Sequence, residues 1–419
     1  MKIIIFLVLL FIHSAVNAVS LSTEDIFATA EKYTLELAVD ITTPFIDDEP
    51  GSYSGTAFII DKERGWAVTN AHVVGKSPSV IRGKFKSSKF HPLKKVYIDP
   101  VIDMAIIHID PKNIPTDAFE AKLDCNTTPK TGHPVGTYGH PWETSFTATR
   151  GIVSGTTYLD HDEWLQVDAP INHGNSGGPL ISLDSGLVLG ISSALVDGTE
   201  GLGFALPIGR VCTVLKLLKN NINPSPPNLG VVFFQHDENE QLKVADVISS
   251  NIDLQEGDVI TSVLGVDVNN ELGLIDLLRG KVNASAVIDR KGEVKKVTWE
   301  ITPKPTLIGT KGIYFSGMVI TLNNLVDKGK TGDLNTWTIN SIANGTLSQS
   351  YKLAAYDLIE NVDSQEFSNI EDLYAYFKTI EENDDVHLVI KKFSTSASRL
   401  YDYHDLEMTI NGLKMVEIK

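Results

Sequence analysis

The sequence predicts a mostly β protein built from several domains. Short apolar or alternating runs separated by glycine fill the stretch from about Val39 to Pro207, a pattern typical of strands in a barrel or sandwich. Two later segments each combine strands with one amphipathic helix, which favours small α/β modules. A single hydrophobic core rarely organises as many as the 419 residues of this chain. We therefore expect two to four domains.

The first residues have the features of an export signal. Lys2 supplies a positive start, Ile3 to Ile12 form an apolar run, and Val16-Asn17-Ala18 offers a small-residue cleavage site. A membrane anchor is the alternative, but the run is shorter than the roughly 20 residues that a spanning helix needs. We expect an exported protein, periplasmic or secreted, with no stable membrane anchor after cleavage.

Charge and cysteine content exclude several classes of function. The formal net charge of -17 is spread along the chain, which argues against a nucleic acid or an anionic lipid as partner. Cys125 and Cys212 are the two cysteines, too few for a disulfide scaffold or a cysteine-based zinc site. They could form one bridge in an oxidising compartment, and two free buried thiols are the alternative.

The C-terminal part of the chain contains two segments with the same predicted order of strands and helix. Residues 220–228 are rich in asparagine and proline and form the clearest linker. After it, Glu256-Gly257-Asp258-Val259-Ile260 precedes a helix near Leu272 to Leu278, and Ala355-Tyr356-Asp357-Leu358-Ile359 precedes a helix near Ile370 to Phe377. Two copies of one module are the economical interpretation.

The string Gly174-Asn175-Ser176-Gly177-Gly178-Pro179-Leu180 predicts a nucleophile loop. A serine hydroxyl needs an adjacent base, and the oxyanion it generates needs a pair of donors. Glycines on both sides allow a sharp turn in which the Gly174 and Ser176 N–H groups converge. An ordinary glycine-rich turn is the alternative. We predict that Ser176 is the nucleophile and that Gly174, Asn175 and Ser176 form the oxyanion hole.

His72 is the candidate general base among the eleven histidines. It follows the predicted strand Trp66 to Thr69 in a small-residue turn that can present an imidazole to a cleft. His173 and His140 are the rivals, but the first lies too near the serine in sequence and the second precedes a proline in a predicted loop.

Asp103 is the candidate for the carboxylate that orients this imidazole, because it opens the apolar strand Met104 to Ile109. Asp99 and Asp110 flank the same strand and stay open as alternatives.

These strings resemble the HtrA/Deg family of trypsin-like serine proteases with C-terminal PDZ domains. The resemblance is specific over the protease region and weaker beyond residue 228. The matching strings are Thr69-Asn70-Ala71-His72-Val73-Val74, Asp103-Met104-Ala105-Ile106-Ile107, Gly151-Ile152-Val153-Ser154, Asp168-Ala169-Pro170-Ile171-Asn172 with the serine loop, and Gly203-Phe204-Ala205-Leu206-Pro207-Ile208.

The resemblance implies two six-stranded β-barrels of the chymotrypsin/trypsin type with the triad between them, and neither a metal nor an organic cofactor. In this fold the residue six before the serine lies at the base of the specificity pocket, and here it is Pro170. We therefore expect a medium or small apolar side chain there rather than Lys or Arg. The substrate backbone is expected to pair with Ile191-Ser192-Ser193-Ala194-Leu195 as an added strand.

In the first tail module, Leu229-Gly230-Val231 resembles the loop of a PDZ domain that binds a peptide carboxylate; a generic small α/β domain is the alternative. In the second, more divergent module the candidate loop is Lys311-Gly312-Ile313-Tyr314-Phe315. The predicted division is a signal peptide (1–18), an N-terminal arm (19–38), a protease domain (39–219), a linker (220–228), a PDZ domain (229–305) and a PDZ-like domain (306–419).

The predicted function is a serine endopeptidase that cleaves misfolded or unfolded proteins in protein quality control. C-terminal peptides are the expected ligands of the first PDZ domain, and a homotrimer is the favoured assembly. The alternatives are a non-proteolytic chaperone or peptide-binding scaffold, a regulatory protease with one substrate, and an esterase. The segment Gly155 to Trp164, which would carry a signal from the PDZ domain, is predicted to be a short loop.

Overall fold

The structure is a computed structural model in which the described residues form two closed barrels, then the sheet of a first tail module with a two-stranded pair at its base, and then the sheet of a second tail module. None of the helices within the described parts of the chain is long and apolar enough to cross a membrane. The described residues are 21–45, 48–141, 146–159, 162–193, 202–234, 241–248, 252–322, 337–393 and 401–419. The predicted signal peptide (1–18) lies outside them.

The first barrel closes in the strand order β1-β2-β3-β6-β5-β4. Its strands are β1 (Thr34–Ile41), β2 (Gly51–Asp61), β3 (Trp66–Thr69), β4 (Ser79–Lys84), β5 (His91–Asp99) and β6 (Met104–His108). A short helix, α2 (Ala71–Val74), follows β3. Helix α1 (Thr23–Tyr33) leads directly into β1, so the boundary predicted between residues 38 and 39 falls inside a strand of the barrel.

The second barrel closes in the order β10-β11-β12-β9-β8-β7. Its strands are β7 (Pro134–Gly139), β8 (Thr147–Leu159), β9 (Asp162–Val167), β10 (Pro179–Ser182), β11 (Val188–Ser193) and β12 (Gly203–Pro207). The prediction of two six-stranded barrels is thereby confirmed. The prediction of a short loop from Gly155 to Trp164 is wrong, because β8 and β9 stay paired as far as Leu159 and Asp162 and form a long hairpin.

A disulfide ties the segment between the barrels to the helix that closes the second barrel. This helix, α3, covers Ile208–Lys219 and carries Cys212 on its second turn. Cys212 is bonded to Cys125, with their Cα atoms 5.8 Å apart. The structure thus contains the disulfide, and not the two free buried thiols that were the alternative.

The first tail module is a six-stranded sheet in the order β14-β15-β16-β18-β19, with β17 paired to β16 and β14 at one edge. A short pair, β13 (Pro227–Asn228) and β20 (Thr302–Pro303), closes its base. The other strands are β14 (Val231–Phe233), β15 (Leu242–Val247), β16 (Val259–Val263), β17 (Val266–Asp267), β18 (Asn283–Arg290) and β19 (Glu293–Glu300), and helix α4 covers Glu271–Leu278 as predicted.

The second tail module has seven strands in the order β26-β25-β24-β23-β22-β21-β27. They are β21 (Lys311–Phe315), β22 (Met318–Leu322), β23 (Trp337–Ile342), β24 (Leu358–Val362), β25 (Asp385–Phe393), β26 (Tyr401–Thr409) and β27 (Lys414–Glu417), with helices α5 (Leu347–Ser350) and α6 (Ile370–Phe377). The predicted carboxylate loop, Lys311 to Phe315, is strand β21 instead. Its Ile313 and Phe315 are fully buried, and β22 and β27 pair with its two edges.

We expect the disulfide to stabilise the barrels measurably, because it closes a loop between residues 87 apart in sequence. Loss of a bridge of this kind costs about 2–5 kcal/mol. The double substitution Cys125→Ser/Cys212→Ser should therefore lower the thermal midpoint by several degrees under oxidising conditions. Wild type with a reductant should behave like the variant, and equal midpoints for all three samples would contradict the expectation.

Candidate active site

His72 is held by Asp103 through both carboxylate oxygens. Its ring Nδ1 lies 2.6 Å from Asp103 Oδ2, and its backbone N–H donates to Asp103 Oδ1 at 2.9 Å. The Asn70 side chain donates to the backbone carbonyl of Asp103 at 3.0 Å. A carboxylate in this position fixes the imidazole tautomer with Nε2 available, and it stabilises the ring when that ring takes up a proton.

Strand ends position these two side chains. His72 is in α2, one short turn after β3, and Asp103 occupies the turn between β5 and β6 with a positive φ of 51°. β3 and β6 are paired neighbours in the barrel, with Thr69 opposite Ala105. The two residues therefore meet at one end of the first barrel, where the imidazole stays 42% exposed.

The serine loop is bound to the first barrel by Thr56 of β2. The Thr56 N–H donates to the Ser176 carbonyl at 2.8 Å, and its hydroxyl donates to the Gly174 carbonyl at 2.7 Å. The Thr56 carbonyl in turn accepts from the Thr69 hydroxyl at 2.7 Å. One residue thus connects the loop that carries Ser176 to the strand that precedes His72. The role of Thr56 could not be predicted, because a threonine in a strand of alternating residues has no sequence pattern that indicates such a contact.

Two positions of this loop require glycine, because neighbouring atoms lie too close for a side chain. Gly174 has a φ of 98°, and a Cβ added there would lie 1.9 Å from the His140 carbonyl oxygen. Gly177 has a φ of 86°, and a Cβ there would lie 2.1 Å from both the Thr56 carbonyl and the Thr69 hydroxyl. Left-handed φ values and contacts this short exclude larger residues.

Within the predicted oxyanion loop, Asn175 differs from its neighbours. Its N–H donates to the Asn172 carbonyl at 2.9 Å, which closes the turn ahead of the serine. Of the three residues predicted for the oxyanion hole, Gly174 and Ser176 therefore stay as the expected N–H donors. The Asn175 side chain is buried, and its two polar atoms have no hydrogen-bond partner among the described residues.

The rival residues occupy other positions. His140 is only 1% exposed, and burial, with the charge of Lys84 as a second cause, lowers its pKa to about 3. His173 is exposed in the serine loop. Asp99 is fully buried against Arg279, and Asp110 pairs with Lys112 at the surface. Asp103 is thus the one of the three candidate carboxylates whose described contacts include His72.

The predicted specificity pocket contains no charged side chain at its expected base. Pro170 stands there, with its carbonyl accepting from the Thr149 hydroxyl at 3.0 Å. On β11, Ile191, Ser192 and Ser193 are fully buried, and the two serine hydroxyls have no partner among the described residues. The residues expected to form the pocket therefore carry no charge.

The substrate strand predicted at Ile191 to Ala194 is only partly available. Ser192 already uses both backbone groups, since its N–H donates to the Gly178 carbonyl and its carbonyl accepts from Gly177, each at 2.8 Å. An added strand could therefore pair only from Ser193 onward. Ala194 lies outside the described residues.

Taken together, the site can perform acyl transfer. It offers an exposed imidazole with an orienting carboxylate, and a serine in a glycine turn that is hydrogen-bonded to the same barrel. The described residues contain no group of three or more His, Cys, Asp or Glu side chains that could hold a metal ion.

Comparison with known proteins identifies relatives of this arrangement. The family model of the trypsin-like peptidase domain matches residues 55–191, which span the predicted triad. A probable periplasmic serine endoprotease DegP-like from Chlamydia pneumoniae is 26% identical over 81% of this chain and 73% of that protein. The periplasmic serine endoprotease DegP of Escherichia coli K12 is 27% identical over 76% of this chain and 70% of its own length.

Solved structures show the same fold. The HtrA-type protease AlgW with a tripeptide superposes with a TM-score of 0.56 at 24% identity, over 68% of this chain and 98% of that one. The serine endoprotease from Yersinia pestis superposes with a TM-score of 0.52, over 68% of this chain and all of that one.

We expect His140 to make the fold sensitive to acid. Because its pKa is about 3 in the folded protein and about 6.5 when unfolded, the unfolded chain binds an extra proton between these values. The free energy of unfolding should therefore fall as pH drops from about 6.5 toward 3, by up to about 1.4 kcal/mol per pH unit from this group. Glu36 Oε2 lies 3.5 Å from Nε2, but burial is the larger influence.

The measurement is urea unfolding of wild type and His140→Phe at several pH values, since phenylalanine keeps a ring beside Phe146. The variant should lose less stability between pH 6.5 and 4. Equal slopes in the two proteins would show that His140 does not titrate in this way.

Proposed function

We propose that this chain is a serine endopeptidase of the HtrA/Deg type, with Ser176 as nucleophile, His72 as general base and acid, and Asp103 as orienting carboxylate. The observation that carries the proposal is the 2.6 Å contact between His72 Nδ1 and Asp103 Oδ2. Thr56 supports it by binding the serine loop to the same barrel.

The reaction follows from these positions. Ser176 Oγ attacks the peptide carbonyl while His72 Nε2 takes the hydroxyl proton, and the imidazolium that forms is stabilised by Asp103. The Gly174 and Ser176 N–H groups donate to the oxyanion of the tetrahedral intermediate. His72 then gives its proton to the leaving amine. Water repeats the sequence on the acyl-enzyme and releases the second product, so no cofactor is needed.

The substrates we propose are unfolded or misfolded polypeptides, cut after medium or small apolar residues. Pro170 in place of an acidic residue supports this preference, because a Lys or Arg side chain in the pocket would lack a counter-charge there. A substrate strand that pairs with the chain from Ser193 onward would be recognised through its backbone rather than its side chains. Unfolded polypeptides have backbone groups free for such pairing.

The first tail module is proposed as the site for a peptide C-terminus. Gly230 has a φ of 64° at the start of β14, and the Leu229 carbonyl is fixed by the Trp299 indole N–H at 3.1 Å. β14 is an edge strand, and no strand of the described residues pairs with its outer side. A peptide could therefore extend the sheet there.

The second module fills the corresponding edge with its own chain. In the first module the elements follow one another as β14, β15, β16, α4, β18 and β19, and in the second as β22, β23, β24, α6, β25 and β26. The second module differs because β21 pairs with β22 at the edge where a peptide would add. β21 also contacts α6, through the Phe315 and Phe377 rings 4.9 Å apart and a Lys311–Glu371 ion pair of 2.7 Å. We propose that this module takes no peptide ligand at that edge.

Export to the periplasm or the extracellular space is also proposed. The Cys125–Cys212 disulfide supports it, since such bridges persist in oxidising compartments. A homotrimer is proposed on the family resemblance alone.

Casein digestion tests the endopeptidase. Wild type should cleave it, and Ser176→Ala should reduce the rate by on the order of a million-fold with an unchanged circular dichroism spectrum. The cut sites, mapped by mass spectrometry, should follow small or medium apolar residues. A folded wild type that binds casein without cutting it would favour the alternative, a non-proteolytic chaperone.

Peptide binding tests the two tail modules in the inactive Ser176→Ala chain. A fluorescent peptide ending in a free apolar carboxylate should bind at one site per chain, and its C-terminal amide should bind at least tenfold more weakly. Gly230→Val should abolish binding, because valine cannot adopt that φ.

Gly292→Val is the matched control. Gly292 also has a positive φ, 89°, in the same module, and a Cβ there meets nothing within 4 Å. Two peptides per chain, or equal binding by both variants, would refute the assignment.

A further inference from the structure

A buried network of charges connects helix α4 of the first tail module to the first barrel. Arg279, at the C-terminal end of α4, and Asp99, the last residue of β5, are both fully buried. The Arg279 Nη1 donates to Asp99 Oδ2 at 2.6 Å and to the linker carbonyl of Pro224 at 2.8 Å. The Tyr97 hydroxyl donates to the same Asp99 oxygen at 2.8 Å.

The other oxygen of Asp99 organises the turn that ends at Asp103. Asp99 Oδ1 accepts from the N–H groups of Val101 and Ile102, at 3.1 and 3.4 Å. Asp103 follows directly, in its positive-φ conformation, and both of its carboxylate oxygens contact His72. A residue other than glycine keeps such a backbone conformation only where its surroundings enforce it. The Asp99 carboxylate binds the backbone of this turn ahead of Asp103, and the Asn70 side chain binds it at the Asp103 carbonyl.

Arg279 is the cation that pairs with the buried Asp99 carboxylate, at 2.6 Å. A buried carboxylate that loses its cation is destabilised, and the structure around it rearranges. The Tyr97 hydroxyl is neutral, so Arg279 supplies the positive charge among the described contacts of Asp99. The first tail module therefore provides the counter-ion for a carboxylate that shapes the catalytic turn.

We propose that Arg279 is a positioning residue for catalysis, acting through Asp99 on the placement of Asp103 and hence on His72. The proposal rests on the endopeptidase function proposed above. Arg279 does not touch the substrate, so its loss should act on the chemical step and leave substrate binding nearly unchanged.

The test compares Arg279→Met, Arg279→Lys and Arg210→Met by steady-state kinetics on a fluorogenic peptide that contains a cut site mapped in casein. Arg210 also pairs with α4, with its Nε 3.5 Å from Asp276 Oδ2, but this ion pair does not include Asp99. Arg210→Met is therefore the matched control for weaker docking of the module. Thermal midpoints are measured for every variant.

We expect Arg279→Met to lower kcat at least tenfold with KM within threefold of wild type. Arg279→Lys should restore at least a third of kcat, because an ammonium can still neutralise Asp99, and Arg210→Met should stay within twofold. A folded Arg279→Met with wild-type kcat would overturn the proposal, and so would an equal loss in Arg210→Met.

If Arg279→Met does not fold, the double variant Asp99→Leu/Arg279→Met removes the buried charges together with the oxygen that accepts from Val101 and Ile102. A lowered kcat in this variant supports the proposal, and a wild-type kcat overturns it. A wild type no more active than Ser176→Ala would instead defeat the endopeptidase function itself, and the inference with it.

Discussion

The structure depends on Thr56, which joins the two barrels at the candidate active site. Its N–H and hydroxyl hold the carbonyls of Ser176 and Gly174, while its own carbonyl receives the Thr69 hydroxyl from the strand that precedes His72. A nucleophile and its base on separate barrels can act together only if the barrels keep a fixed distance. These hydrogen bonds lie in the buried interface, where such bonds are strong and costly to leave unmade.

The two barrels could be predicted, and candidates for a triad could be named, because their signals are local. The glycines around Ser176 and the small-residue turn at His72 are short strings that indicate their chemistry before the fold is known. Asp103 is favoured by its place at the start of the strand Met104 to Ile109, with Asp99 and Asp110 open as alternatives. Only the structure shows that Asp99 is buried against Arg279, a residue 180 positions later in sequence.

The misplaced elements share one physical cause, which is pairing between distant segments. Lys311 to Phe315 is predicted as a loop by comparison with the first module, but β27 pairs with it and makes it an inner strand of the sheet. Gly155 to Trp164 is predicted as a short loop, but the pairing of β8 with β9 continues to Leu159 and Asp162. Ser192 is withdrawn from substrate pairing by contacts with the serine loop.

The central claim is that the folded barrels make Ser176 nucleophilic. A fluorophosphonate reacts with an activated serine and not with an ordinary one, so the most direct measurement is to treat the native chain with such a probe and locate the adduct by peptide mass spectrometry. The account predicts one adduct, on Ser176, which is absent after unfolding in urea. No adduct on the native protein, or an adduct on another residue with Ser176 unmodified, would contradict it.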